Sequence, residues 1–180
     1  MDEIKSLNGL IKTLKQANPK DYVKIAKSIN IPPSDFLPYC HFRVDGYARN
    51  CIIKTEAFEL ILICWKKDDF TPIHGHDNKQ CWVYQVAGEM TEIRYEQNDS
   101  GKLIECNRMK LTPGKLTYMQ DSMGYHLLKN PTEENAMSLH LYMKPVESCQ
   151  VFDKDNNCFE EMELSFYSVE GELIEHSLER

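Results

Sequence analysis

In Ala136-Met137-Ser138-Leu139-His140-Leu141-Tyr142-Met143 the alternation is strict over 137–143. Met137, Leu139, Leu141 and Met143 fall on one side of a two-residue repeat, and Ser138, His140 and Tyr142 on the other. A helix would mix the two sets, so the segment reads as a β-strand with two unlike faces. The polar face of such a strand ordinarily meets water. Inside a small barrel the same face would set a hydroxyl, an imidazole and a phenol in a row, a wall suited to handling protons.

The same texture extends on both sides. Short β-branched and aromatic runs separated by turn residues predict strands over 47–54, 58–65, 73–76, 81–87, 90–96, 102–110, 115–119, 125–129, 148–153 and 159–167. Asn98-Asp99-Ser100-Gly101 reads as a hairpin connection and Pro113-Gly114 as a second turn. Before residue 42 the period changes. Ile4, Leu7, Leu10, Ile11 and Leu14 recur at helical spacing, with Gly9 as a weak point. Asn18-Pro19 predicts a second helix start, followed by the apolar face Tyr22, Val23, Ala26 and Ile29. Ile31-Pro32-Pro33 ends it, and Ser34 is expected to cap a third short turn near Cys40. The expected architecture is mainly β: one domain over 1–180, with N-terminal helices in 1–42, a barrel over 45–167 and a C-terminal tail over 168–180.

Composition excludes several function classes. The 180 residues carry a net charge of −7, so neither nucleic acid nor an anionic membrane is an expected partner. The longest apolar run, Leu60 to Trp65, is far too short to span a bilayer. The N-terminus has no basic stretch followed by an apolar one, so no secretion signal is expected. The seven cysteines (Cys40, Cys51, Cys64, Cys81, Cys106, Cys149 and Cys158) are odd in number and contain no CxxC pair. They read as reduced thiols of a cytoplasmic protein, and their spacing excludes a zinc ribbon.

Of the six histidines, His74 and His76 stand two apart in Thr-Pro-Ile-His-Gly-His. On a strand both would point to one side and could reach one metal, although an isolated HxH is a weak signal and more often marks a polar, solvent-facing loop, here after Pro72. His41 and His176 carry no motif and read as structural or solvent-facing.

Larger blocks narrow the reading. His74-x-His76, four residues, Cys81, six residues and Gly88 follow the spacing of the first cupin motif, which usually has Glu where Cys81 stands. His126-Leu127-Leu128-Lys129-Asn130 fits the end of the second. With Tyr47-Ala48-Arg49-Asn50, Asp121-Ser122-Met123-Gly124-Tyr125-His126 and Ser138-Leu139-His140-Leu141-Tyr142, the chain resembles the cysteine dioxygenases from about residue 45 to 167. The resemblance implies a small jelly-roll cupin barrel and one Fe(II) per chain on His74, His76 and His126. Replacing the cupin Glu by Cys81 leaves that ligand set neutral, which suits Fe(II) receiving an anionic thiolate. Gly75, where other members can carry an acidic residue, points away from the metal and should matter little.

The resemblance also implies Arg49 as the holder of the substrate carboxylate, with Tyr47 beside it. A guanidinium fork matches a carboxylate in a way that Lys does not; taken alone, Arg49 reads equally as a surface or structural residue. Tyr142, His140, Ser138 and Cys81 become catalytic candidates, with Cys81 and Tyr142 joined as a thioether. Cys149 lies near the substrate or is a small buried thiol. The implied activity is oxidation of free L-cysteine to cysteine sulfinic acid with O2, by a monomer, in cysteine catabolism and taurine biosynthesis. Alternatives are a dioxygenase for 3-mercaptopropionate or cysteamine, or a metal-binding cupin without turnover. The 3-mercaptopropionate enzymes typically carry Gln in place of the arginine, so Arg49 favours cysteine.

Overall fold

The computed structural model describes residues 2–76 and 79–174; His176 lies outside the described residues. Helix α1 (Leu7–Gln16) starts at Ser6, whose hydroxyl accepts from Gly9 N. A single 3-10 turn (Pro19–Asp21), capped by the Asn18 side chain, leads into α2 (Tyr22–Lys27). A second 3-10 helix, Pro33–Tyr39, follows Pro32 and has no side-chain cap. The expected cap at Ser34 is therefore wrong. The neighbouring carboxylate, Asp35 Oδ2, instead accepts from Leu7 N at 3.0 Å and ties this turn to the start of α1.

Strands β1 (Ala48–Lys54), β2 (Phe58–Trp65), β3 (Gln80–Ala87), β4 (Met90–Gln97), β5 (Leu103–Leu111), β6 (Leu116–Met119), β7 (Tyr125–Lys129), β8 (Ala136–Met143), β9 (Ser148–Asp153) and β10 (Cys158–Glu163) follow. Residues 168–173, the start of the expected tail, form β11 (Ser168–Val169) and β12 (Glu172–Leu173). One sheet runs β12-β11-β1-β2-β8-β3-β6, a second β5-β4-β7 and a third β10-β9. At the β3–β4 turn, a Cβ on Gly88 would meet Asn135 O at 2.6 Å, and its φ of 68° is open to Gly at no cost.

The expected strand over 73–76 is reduced to one paired residue, His74, bridged to His126 of β7 and Val151 of β9. Pro72 brings no N–H, and Lys79 N donates to His76 O at 2.9 Å. This single residue nevertheless stitches the second and third sheets side by side. His74 N donates to His126 O at 2.9 Å, and Phe152 N to Ile73 O at 2.8 Å. The strand expected over 159–167 ends at Glu163; beyond it Tyr167 N donates to Arg49 O at 2.7 Å, folding residues 164–167 back over β1.

Strand β2 is buried on both faces, which is why Leu60 to Trp65 reads as an unbroken apolar run, with only Glu59 before it polar. The outer face of the large sheet, with Phe58, Leu60, Leu62, Trp82, Leu139 and Leu141, packs under Leu10, Leu14, Tyr22, Ile25 and Phe36 of the helical layer. Each fully buried side chain of this size gains about 1.5–3 kcal/mol of transfer free energy. Because the helices take that face, the opposite register of each strand looks into the barrel. Ile61, Ile63, Trp65, Cys81, Val83 and Tyr142 line it with Met90, Leu111 and Leu128 from the facing sheet. The Ser138, His140 and Tyr142 face thus turns inward, as the barrel alternative requires.

Candidate metal centre

Three imidazoles meet where the stitch residue crosses β7. The ring centroids of His74, His76 and His126 lie 4.6–5.3 Å apart. Their ligand-capable nitrogens fall within 4.8 Å of one another, so the group could hold a metal ion. His74 and His126 are brought together by the backbone bridge itself, a proximity that spacing alone did not establish. Just before β7, Gly124 has a φ of 86°, and a Cβ there would collide with Tyr95 O.

The donor set fits a cation. His74 Nδ1 lies 3.0 Å from Pro72 O, and His126 Nδ1 lies 2.8 Å from Glu92 Oε1. Both partners only accept, so each Nδ1 carries the proton and each Nε2 carries the lone pair. His126 Nε2 is buried with no hydrogen-bond partner. A buried orphan acceptor costs free energy unless a ligand takes it, and a metal does so. Burial holds His126 and His76 well below the ordinary histidine range, with neighbouring imidazoles acting in the same direction. Both are therefore neutral, the form that ligates metal.

The facing sheet supplies the opposite wall. Cys81 of β3 stands directly across from Tyr142 of β8. Burial pushes both groups up, so each remains protonated. Trp65 Nε1 donates to Ser138 Oγ at 2.9 Å, and Ser138 Oγ lies 2.8 Å from His140 Nε2. The indole only donates, so the serine hydroxyl hydrogen is available to His140 Nε2. That arrangement leaves the imidazole proton on Nδ1, which has no protein partner. Burial also keeps His140 neutral, with Arg49 the next cause.

A cavity of about 30 Å³ joins these walls and is lined by Tyr47, Arg49, His74, His76, His140, Tyr142 and Cys149 among others. Arg49 is 9% exposed, and its Nε and Nη2 have no hydrogen-bond partner. Its guanidinium lies 5.8 Å over the Phe166 ring. Tyr47, its ring 5.0 Å from that of Trp65, is held above the usual tyrosine range by burial, with Arg49 opposing. The cavity adjoins a surface groove of about 750 Å³ that shares Tyr47, Arg49, Met162 and Leu164.

Every expected site residue from the described part of the chain thus falls in this region. Asn130 is buried elsewhere, shaping the turn after β7 by bonding Thr132 and Glu134 O. None of the seven cysteines is in a disulfide, and Cys106 and Cys158 are exposed. His41 binds Gly171 O at 2.8 Å, a structural contact. Sequence reasoning missed two fully buried carboxylates, Glu59 and Glu92, and the partners Trp65, Arg94 and Thr117. Burial raises Glu59, with Arg49 opposing. Period-2 spacing places Glu92 with Met90 on one face of β4, but a glutamate in a hairpin strand more often faces water.

A small jelly-roll barrel with three inward histidines that could hold a metal ion has the cupin fold. The model of the family described as cysteine dioxygenase type I matches residues 2–155, and the chain belongs to that family. It is similar to cysteine dioxygenase type 1 of Danio rerio, 27% identical over 184 residues that cover 96% of this chain and 92% of the relative. The Homo sapiens protein of the same name is also 27% identical, covering 93% of this chain and 88% of its own length. Among solved structures, the TT1209 protein of Thermus thermophilus shares the fold with a TM-score of 0.52 at 15% identity. That likeness covers 61% of this chain and 94% of the other. The chain is an enzyme of the dioxygenase class, and no helix among its described residues is long and apolar enough to cross a membrane.

Proposed function

We propose that this protein oxidises the thiol of free L-cysteine to cysteine sulfinic acid with O2, using one Fe(II) per chain held by His74, His76 and His126. One observation carries the choice of substrate. Two buried N–H groups of Arg49 lack protein partners in the cavity that the histidines line. An unpaired buried guanidinium is costly unless a ligand anion completes it, and a carboxylate fits side-on with two parallel bonds.

Iron bound there would supply Lewis acidity toward the thiolate and redox chemistry toward O2. The protein's own groups bind and orient. Arg49, with Tyr47 beside it, holds the carboxylate, and Cys149 borders the same space. The barrel wall excludes bulk water. Tyr142 keeps its phenolic proton, and His140, fixed by Ser138, offers its Nδ1–H to the same chamber. Both atoms of O2 end on sulfur, and the four electrons come from sulfur, so no further reductant is needed.

Cys81 and Tyr142 are suited to a thioether. The S–C bond forms with loss of the thiol hydrogen and one ring hydrogen, and O2 takes the two electrons and two protons. The link would fix one rotamer of a group whose position matters to within about an angstrom. The family's reaction needs no partner chain, so a cytosolic monomer is the expected working form.

The test is oxygen uptake by Fe(II)-loaded protein with cysteine, 3-mercaptopropionate and cysteamine, alongside metal content. One sulfinate per O2 with cysteine preferred, and loss of metal in His126→Ala, are expected. Metal binding without oxygen uptake would make this a non-catalytic cupin. A preference for 3-mercaptopropionate would move the substrate to a thiol acid without an amine.

A further inference from the structure

We propose that Glu92 is a positioning residue of the metal centre: it holds His126 by its Nδ1–H and places a negative charge one hydrogen bond behind the metal. This rests on the three-histidine reading above. Glu92 sits on β4, opposite Leu128 in the β4–β7 pairing, and its side chain is fully buried. A carboxylate removed from water must have every oxygen engaged. Oε1 accepts from His126 Nδ1 at 2.8 Å. Oε2 accepts from Thr117 Oγ1 at 2.7 Å and Arg94 Nη2 at 3.3 Å.

Glu92 is more than the partner of Arg94. The shorter bonds of Arg94 Nη2 go to Thr117 Oγ1 at 2.7 Å and Tyr118 O at 2.9 Å, so the arginine is anchored on β6 and only completes the carboxylate. The other carboxylate oxygen faces the histidine. The contact is a hydrogen bond from the ring Nδ1–H to the acid. Such a bond fixes the tautomer, orients the ring and makes the far nitrogen a stronger donor to metal. That far nitrogen is the buried Nε2 with no partner.

The arrangement also answers the loss of the cupin glutamate. Cys81 removes an anion from the position next to the metal, and Glu92 supplies one from behind the third histidine. The ligand set stays neutral where thiolate must bind, while the surroundings still favour a dication.

Metal affinity is the measurement. Metal-free wild type, Glu92→Gln and His126→Ala are titrated with Co(II) against a competing chelator, and the visible bands of the Co(II) forms are recorded. Glu92→Gln keeps an acceptor oxygen but loses the charge. It should bind Co(II) about 10–100-fold more weakly, with shifted bands. Affinity and bands unchanged in Glu92→Gln, with metal lost in His126→Ala, would overturn the role of Glu92 and leave the site intact. Metal retained in His126→Ala would overturn the site reading itself. A second measurement needs no variant. In histidine-labelled wild type loaded with Zn(II), nitrogen spectra should show His126 protonated at Nδ1 and metal-bound at Nε2; the reverse assignment overturns the proposal.

Discussion

Replacing Arg49 by Ala should collapse the preference for cysteine over cysteamine, which lacks the carboxylate. The magnitude follows from the two unpartnered groups, Nε and Nη2, on one edge of the guanidinium. A hydrogen bond to a charged group contributes about 1.5–3 kcal/mol, and two on one carboxylate share part of that. A joint value of about 3 kcal/mol corresponds to roughly a hundredfold in kcat/KM. Arg49→Lys keeps the charge but not the fork, so it should lose about tenfold. The fold should survive, because Glu59 nearby is already pushed toward its neutral form by burial and loses only an opposing charge. The assay is initial oxygen uptake over a concentration series of each thiol, with circular dichroism to confirm folding. A folded Arg49→Ala protein with an unchanged cysteine-to-cysteamine ratio would show that the guanidinium does not read the substrate.

Stability of the metal-free protein should fall on acidification. His76, His126 and His140 are held well below their ordinary range in the fold, while the unfolded chain titrates near 6.5. Below that pH the unfolded state binds more protons, so stability is fully present above about 6.5. It declines beneath by up to about 1.4 kcal/mol per histidine per pH unit. Urea midpoints at neutral and mildly acidic pH read this, and a flat profile would contradict neutral burial. For the directly opposed Cys81 and Tyr142, turnover should yield a joined peptide lighter by two hydrogens, resistant to thiol reductants and missing in Cys81→Ser. Separate peptides after exhaustive turnover would exclude the link.

The alternation over 136–143 was legible because the helical layer and the barrel interior demand opposite chemistry of the two faces of β8. The strands β1 to β7 were visible from the same contrast and from the turn residues between them. The segment 73–76 misled because its pairing comes from two distant strands, β7 and β9, and leaves only one residue in register. Its two histidines still converge, their ring centroids 5.3 Å apart, without a strand to carry the periodicity. The carboxylates Glu59 and Glu92 were illegible because their burial depends on partners 25 or more residues away, such as Thr117 and Val146. Local sequence cannot show that a distant donor will arrive.

Of the two carboxylates, Glu92 completes the charge logic of the chamber. A chain of net charge −7 presents a repulsive surface to a substrate carrying a carboxylate and a forming thiolate. Long-range attraction is therefore weak, and screening shortens it to about 8–10 Å at physiological salt. Binding must be won locally, by a fixed positive charge inside a low-dielectric wall. Arg49 provides it at one end of the cavity, and the metal group at the other. The carboxylate that faces the metal group stands outside the cavity lining: Glu92 lies behind His126. Placed in the cavity, it would compete with substrate for the same cations. Kept behind the wall, it lowers the cost of burying positive charge and leaves the open side to the ligand.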